Sequence, residues 1–168
     1  TMKPLRCFRG HHQRGVPLLS FSSDDRGKYV ISVGLDDLHS AIIFDWEAGC
    51  VVCKTSTFKQ RRPLALLAAR QGSGNFGTGI GFVASGEHFV RYWNTSSRNA
   101  TCTACRVGVK GKLQPFLCLG WVGSALVAGT LDGSIYRFSG RDLDKAVAGA
   151  HKGAVYDLFV SAEGFVVS

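Results

Sequence analysis

Two Cys-x-x-Cys pairs, Cys50-Val-Val-Cys53 and Cys102-Thr-Ala-Cys105, carry the most obvious chemical potential in this chain. Thiolates at that spacing form half of a zinc ribbon. These pairs stand further apart than the roughly 15–20 residues that separate the halves of a ribbon, and each falls where the sequence reads as a strand. Side chains at i and i+3 of a strand point to opposite faces and cannot share one metal. The six cysteines, at positions 7, 50, 53, 102, 105 and 118, are therefore expected to be reduced and unligated. That expectation suits a reducing compartment, since the opening residues show no apolar secretory segment.

Other constellations imitate chemistry more weakly. Gly72-Ser-Gly-Asn-Phe-Gly77 matches G-x-G-x-x-G, but a dinucleotide site needs a helix after it, and the following Thr-Gly-Ile-Gly-Phe-Val is strand-like. A kinase loop would need a Val-Ala-x-Lys strand and a His-Arg-Asp loop, and the sequence has neither. His11 and His12 are adjacent and diverge on extended chain. Asp24-Asp25 and Asp36-Asp37 read as turn formers. Asn94-Thr-Ser and Asn99-Ala-Thr fit the glycosylation sequon, which is inert without secretion. The densest basic cluster is Lys59-Gln-Arg61-Arg62, set among polar, turn-like residues; it is a solvated loop or a docking site for an acidic protein surface.

The bulk properties agree with a binding protein. Hydrophobic residues make up 45% and charged residues 19% of the 168 residues, a globular composition. No apolar run approaches the roughly 20 residues of a membrane span. The net charge of +8 suits an acidic partner, or belongs to a solvated surface balanced elsewhere in a longer protein.

The elements that position these residues are short strands. Twenty-one glycines break the chain into apolar runs separated by turns, and no long window shows helical periodicity. The clearest unit runs over residues 116–155. Phe-Leu-Cys-Leu-Gly-Trp, Ala-Leu-Val-Ala-Gly-Thr and Ile-Tyr-Arg-Phe follow one another there, with Asp132-Gly133 as the hairpin signal and Ala150-His151 opening the next unit. The aromatic ends of the third strands, Phe44, Trp93 and Phe138, recur at intervals of 49 and 45 residues. Blade repeats of WD type run about 40–45 residues, or slightly more with enlarged loops. The fold class is all-β, a set of WD-repeat β-propeller blades. The expected organisation is a trailing strand over residues 1–9, blades over about 10–54, 55–108 and 109–149, and a partial blade over 150–168. Residues 94–99 are polar and separate the third and fourth strands of the second blade. Such an array does not close a ring, so its ends are expected to expose apolar flanks and to self-associate.

Phe44-Asp45, Trp93-Asn94 and Phe138-Ser139 stand at the Trp-Asp position of WD repeats, and Gly10-His11 and Ala150-His151 at the Gly-His position. The series Ser32-Val-Gly-Leu-Asp-Asp-Leu-His-Ser-Ala-Ile-Ile-Phe-Asp-Trp46 resembles the echinoderm microtubule-associated protein-like (EML) family, as does Gly129-Thr-Leu-Asp-Gly-Ser-Ile-Tyr136. The resemblance implies a non-catalytic cytoskeletal scaffold that binds microtubules through a propeller surface, with no cofactor and no catalytic or metal-binding residue. It implies tubulin as partner and a cytoplasmic, cytoskeletal location. A generic WD-repeat scaffold in a ciliary, flagellar or other complex is the alternative; nucleic acid ranks third, and an enzyme last. WD blades lock their turns with a His–Ser/Thr–Trp chain anchored by Asp. The first blade keeps His11, Ser32 and Asp36, and the third keeps Thr130 and Asp132 without a loop histidine. Phe44 and Phe138 supply no indole N–H. Apolar packing is therefore expected to hold these blades more than the polar chain does.

Overall fold

A computed structural model describes residues 5–23, 27–70, 79–96 and 99–168. It contains three four-stranded antiparallel sheets, each with its strands in sequence order, and one two-stranded sheet. The first sheet is β1 (Leu18–Phe21), β2 (Tyr29–Val33), β3 (Ser40–Asp45) and β4 (Cys50–Ser56). The second is β5 (Pro63–Ala68), β6 (Ile80–Gly86), β7 (Phe89–Ser96) and β8 (Asn99–Ala104). The third is β9 (Phe116–Val122), β10 (Ala125–Thr130), β11 (Ile135–Ser139) and β12 (Asp142–Val147); β13 (Phe159–Val160) and β14 (Val166–Val167) form the small pair. The first strands of successive sheets, β1, β5, β9 and β13, pack side by side and so form the inner edge of the array.

Alternation along each strand supplies both faces of a blade with apolar side chains. Ile31, Val33, Ala41 and Ile43 of blade one meet Phe82, Ala84, Phe89 and Trp93 of blade two in one core. The other face of blade two, with Val83, Val90 and Tyr92, meets Phe116, Leu126, Ala128 and Phe138 of blade three. Cys118 and Val127 on the far face of blade three pack on Val155 and Leu158. Hydrogen bonds tie the blades as well: Trp121 Nε1–H donates to Ala68 O at 2.8 Å, Tyr92 O–H to Gly140 O at 3.0 Å and Ser85 O–H to Phe116 O at 3.2 Å. In blades one and three the pairing of third and fourth strands shifts register just before Phe44 and Phe138, so both aromatics follow a β-bulge.

The strands differ from the sequence reading in two places. Residues 5–9 form no strand, because no neighbouring strand among the described residues takes up their backbone groups. They cross the edge of blade one instead: Arg6 donates to Glu47 O at 3.0 Å, and the Phe8 ring lies 4.4 Å from that of Phe44. Residues 94–96, read as polar connection, continue β7, and β8 begins at Asn99. Buried Thr95 satisfies its hydroxyl by donating to Ile80 O at 2.5 Å, so its polarity does not interrupt the strand. The Asp24-Asp25-Arg26 turn and the Gly72–Gly77 segment lie outside the described residues. Large apolar side chains are exposed at both ends of the array, Leu19 and Phe21 on β1 and Phe159, Phe165 and Val167 around the small pair.

Candidate interaction surface

The loops that enter the first strand of each blade, and the turns joining second to third strands, come out at the same end of the blades, since the strands alternate in direction. That end is organised by buried polar groups. In blade one, His12 Nε2 lies 2.7 Å from Ser32 Oγ, while His12 Nδ1 lies 3.5 Å from Asp36 Oδ2 and 3.3 Å from Ser40 Oγ. Ser40 O–H donates to Asp36 Oδ2 at 2.5 Å, and the N–H groups of Ser40 and Leu38 donate to Asp36 Oδ1 at 3.0 and 3.2 Å. Burial pushes the Asp36 carboxyl up, but the donors from Ser40, His12 and Leu38 outweigh it and hold the group down at about 2.

This is the order of a Ser–His–Asp nucleophile relay, but its hydroxyl is placed otherwise. Ser32 is 3% exposed, and its O–H points to Ile42 O at 3.5 Å. An electrophile has no approach to it. The arrangement fastens the entry loop to the turn.

The histidine of this lock is His12, not His11 as the Gly-His position suggested. His11 stands edge-on to the Phe44 ring at 5.1 Å. Two adjacent side chains diverge, so one packs on the aromatic at the Trp-Asp position and the other reaches the polar chain. Nothing short of the loop's path decides which does which. The polar chain read in blade one from Ser32 and Asp36 is therefore present, with His12 in the place given to His11. Phe44 is 4% exposed. Asp45 caps the next turn, accepting from Ala48 N–H at 2.8 Å with Lys28 Nζ at 3.5 Å.

Blade three fastens the same turn with other groups. Thr130 Oγ1 lies 2.7 Å from Ser134 O and 2.8 Å from Asp132 Oδ1, and it accepts from Ser134 N–H at 3.0 Å. Gln114 Oε1, a residue the sequence reading passed over, accepts from Asp132 N–H at 3.1 Å from the entry loop. Burial raises the Asp132 carboxyl, and bonds from Ser134, Thr130 and Gln114 bring it down to about 2. In the last unit His151 Nε2 lies 2.7 Å from Ser168 Oγ, a second histidine–serine pair. Blade two relies on aromatics: Trp93, 1% exposed, stacks on Phe82 at 5.2 Å. Phe138 is fully buried and lies edge-on to Phe116 at 6.2 Å.

The basic cluster sits in the entry loop of blade two. Lys59 and Arg62 are exposed, whereas Arg61 is half-buried, donates to His88 O at 3.0 Å and lies 5.5 Å from the Phe58 ring. Lys112 and Lys152 are exposed on the entry loops of the next two units. The cysteine pairs are split: Cys50 and Cys102 face solvent, Cys53 is buried and Cys105 half-buried. Burial pushes the Cys105 thiol up to about 12. Among the described residues, no group of three or more His, Cys, Asp or Glu side chains converges as a metal site requires.

The blade geometry defines the class: the sheets are β-propeller blades. The chain is similar to the β-propeller domain of Cps50 (Swd1) from Myceliophteria thermophila, with a TM-score of 0.68 and 13% identity over 89% of this chain and 48% of that one. It is similar also to the computationally designed Ika4 protein, with a TM-score of 0.66 and 17% identity over 99% of this chain and 97% of that one. The designed Ika8 protein gives a TM-score of 0.62 and 18% identity over 94% of this chain and 43% of that one. The chain thus spans about half the length of the Swd1 propeller domain it matches. No protein-family model matches it.

Proposed function

We propose that the chain serves as a protein-interaction scaffold without catalytic chemistry of its own, engaging acidic partners through the loop-bearing end of its blades. One observation carries this: polar locks in blades one and three fasten the turns at that end, while Lys59, Arg62, Lys112 and Lys152 stand exposed on its entry loops. A hydrogen-bonded frame that presents exposed charge is suited to steering and positioning a partner. Affinity capture with purified chain and cell extract tests it. Wild type should retain a stoichiometric protein partner that is lost when these four residues are changed together to Glu with the fold intact. An unchanged partner set, or a stoichiometric nucleotide or metal in the purified protein, overturns the reading.

Tubulin is the specific partner suggested by the EML-like residues 32–46 and by the charge of +8; it would make the chain cytoplasmic and cytoskeletal. The compared structures lend that finer reading no support. Its test uses Lys59→Glu with Arg62→Glu, leaving Arg61 in place because Arg61 holds the His88 carbonyl. Microtubule co-sedimentation should weaken most at low salt and converge with wild type as salt rises. Failure of the wild-type protein to pellet removes tubulin and leaves the general scaffold.

A further inference from the structure

A cavity of about 300 Å³ opens beside the basic loop of blade two, where the entry loop, the turn between β6 and β7 and the end of β8 meet. We infer that this cavity is a recognition site for an acidic peptide segment carrying a bulky apolar side chain. The inference deepens the scaffold reading and rests on it.

The observations are of three kinds. The first is preorganised charge. The Phe58 ring stacks on Phe89 at 5.1 Å, and the guanidinium of Arg91 lies 4.3 Å from its centroid, with that of Arg61 at 5.5 Å. Two planar cations gathered on one ring are held in place before any ligand arrives, and each presents several donors in a fork that matches a carboxylate. Arg61 commits one donor to the His88 carbonyl. The second is strain. His88 has φ +63, a left-handed conformation that non-glycine residues adopt rarely, at the tip of the turn that forms one wall. The third is apolar surface. Phe89, Val90 and Val107 line the cavity with Leu113 at its lip; Phe89 and Val90 are buried, so the accessible apolar surface lies on half-buried Val107 and on Leu113, which is 53% exposed. Among the described residues, no carboxylate lines it. The volume lies at the lower end of the range for ligand pockets, roughly 300–1,000 Å³.

These features select among ligands. An inorganic anion would leave the apolar wall unused. A nucleic acid base would need an open aromatic face, but Phe58 has Phe89 and Arg91 stacked against it. A peptide that seats one aromatic or aliphatic side chain among Phe89, Val107 and Leu113, with neighbouring carboxylates on Arg61 and Arg91, uses every wall. Cys105 takes no covalent part, because its thiol stays neutral at physiological pH.

The probe is a short fluorescein-labelled peptide with phenylalanine at its centre and glutamates on either side, followed by fluorescence anisotropy with the full chain. Wild type should bind it about tenfold or more tightly than the same peptide with alanine for phenylalanine, or with lysines for the glutamates. Arg91→Ala should weaken binding about tenfold. Leu113→Glu, at an exposed lip position, should abolish binding while leaving the thermal melt unchanged. Equal binding of the alanine peptide overturns the inference, because it shows charge alone at work. So does wild-type binding by Leu113→Glu, or an oligonucleotide that occupies the Leu113-sensitive site in the peptide's place. If the peptide fails while Glu at Lys59, Arg62, Lys112 and Lys152 still strips the captured partner, the cavity reading falls and the scaffold reading stands. If both fail, both fall.

Discussion

Blades one and three close the same turn, bond for bond, and fill it with different side chains. Gly34 N–H donates to Ser40 O at 2.9 Å and Thr130 N–H to Ser134 O at 3.1 Å; Leu35 N–H reaches Gly15 O and Leu131 N–H reaches Pro115 O. Asp36 accepts from Ser40 N–H as Asp132 accepts from Ser134 N–H, both at 3.0 Å. These bonds make Thr130 the counterpart of Gly34, and Ala128 the counterpart of Ser32. The loop histidine therefore depends on what the second strand leaves open. A Cβ at Gly34 would sit 2.2 Å from His12 Nδ1, so glycine there makes room for the imidazole. In blade three a threonine occupies that room and supplies the hydroxyl itself. The comparison shows two ways of filling one turn around its aspartate, both buried: an imported imidazole beside a buried carboxylate, or a local threonine hydroxyl beside an exposed one.

The largest expected effect follows from burial. Asp36 is 8% exposed, whereas Asp132 faces solvent. Asp36→Ala leaves two N–H groups, a serine hydroxyl and His12 without their acceptor, and should cost about 3 kcal/mol; Asp132→Ala should cost about 1 kcal/mol, because water replaces the carboxylate. Urea unfolding gives the totals. Alkylation of the buried thiols gives the location: Asp36→Ala should speed labelling of Cys53 in blade one, and Asp132→Ala that of Cys118, whose partner across the ladder is Gly129 next to Thr130. Equal costs, or labelling that rises everywhere alike, would break the distinction between a buried and a surface lock.

Next in size is a transplant. Gly34→Thr drives a side chain into His12 and Asp36 and should destabilise by about 2 kcal/mol. Adding His12→Ala removes the clash with the imidazole and leaves the approach to Asp36 Oδ2, which a Cβ at Gly34 would meet at 2.7 Å, so the double variant should recover about half of the loss. A double variant as unstable as the single one would show that Ser32 and the two-residue-longer turn of blade one cannot work without the imidazole.

Most strands were legible because β-branched and aromatic residues alternate between glycine-marked turns: β2, β3 and β10 come from runs such as Tyr29-Val-Ile-Ser-Val33. The register of the polar locks was not. Ser32 and Thr130 look equivalent by type, and only the hydrogen bonds show that they stand two residues apart in the repeat. Gln114 carried no signal, since a surface glutamine is common and its acceptor role depends on the loop's path. The cavity beside Phe58 was half legible. Lys59, Arg61 and Arg62 stood out as a cluster, but Arg91 and Phe89 reach it from a strand read only as blade scaffold. Residues 5–9 failed because strand character was inferred without a partner strand to pair with.

Gln114 sharpens the comparison on a smaller scale. Gln114→Ala removes one bond to the Asp132 N–H, a solvent-accessible group, and should cost about 0.5 kcal/mol. His12→Ala, which empties a site whose side chain is 5% exposed, should cost about 1–2 kcal/mol. A glutamine worth as much as the histidine would mean that the entry loop of blade three is held at that one point.

The smallest difference lies in acid. Both carboxyls titrate at about 2 in the fold, below their ordinary value of 3.8. A carboxyl held down in this way stabilises the fold at pH values above 3.8, and the contribution is lost as pH falls from there through the folded value of about 2. Both locks should therefore be fully effective at neutral pH and weaken over the same acid window, with no change near the ordinary range of histidine attributable to either aspartate. The sizes should differ, since solvent screens the charge of exposed Asp132 more than that of Asp36. Asp36→Asn should remove more of the acid-induced loss of stability than Asp132→Asn when urea midpoints are compared at neutral pH and near pH 3. Carboxyl 13C shifts followed through the same window should place both groups near 2. A titration of Asp132 at its ordinary value, with Asp36 still low, would show that the surface lock of blade three opens in solution, and only the imidazole lock of blade one would then remain a fixed point of the loop-bearing end.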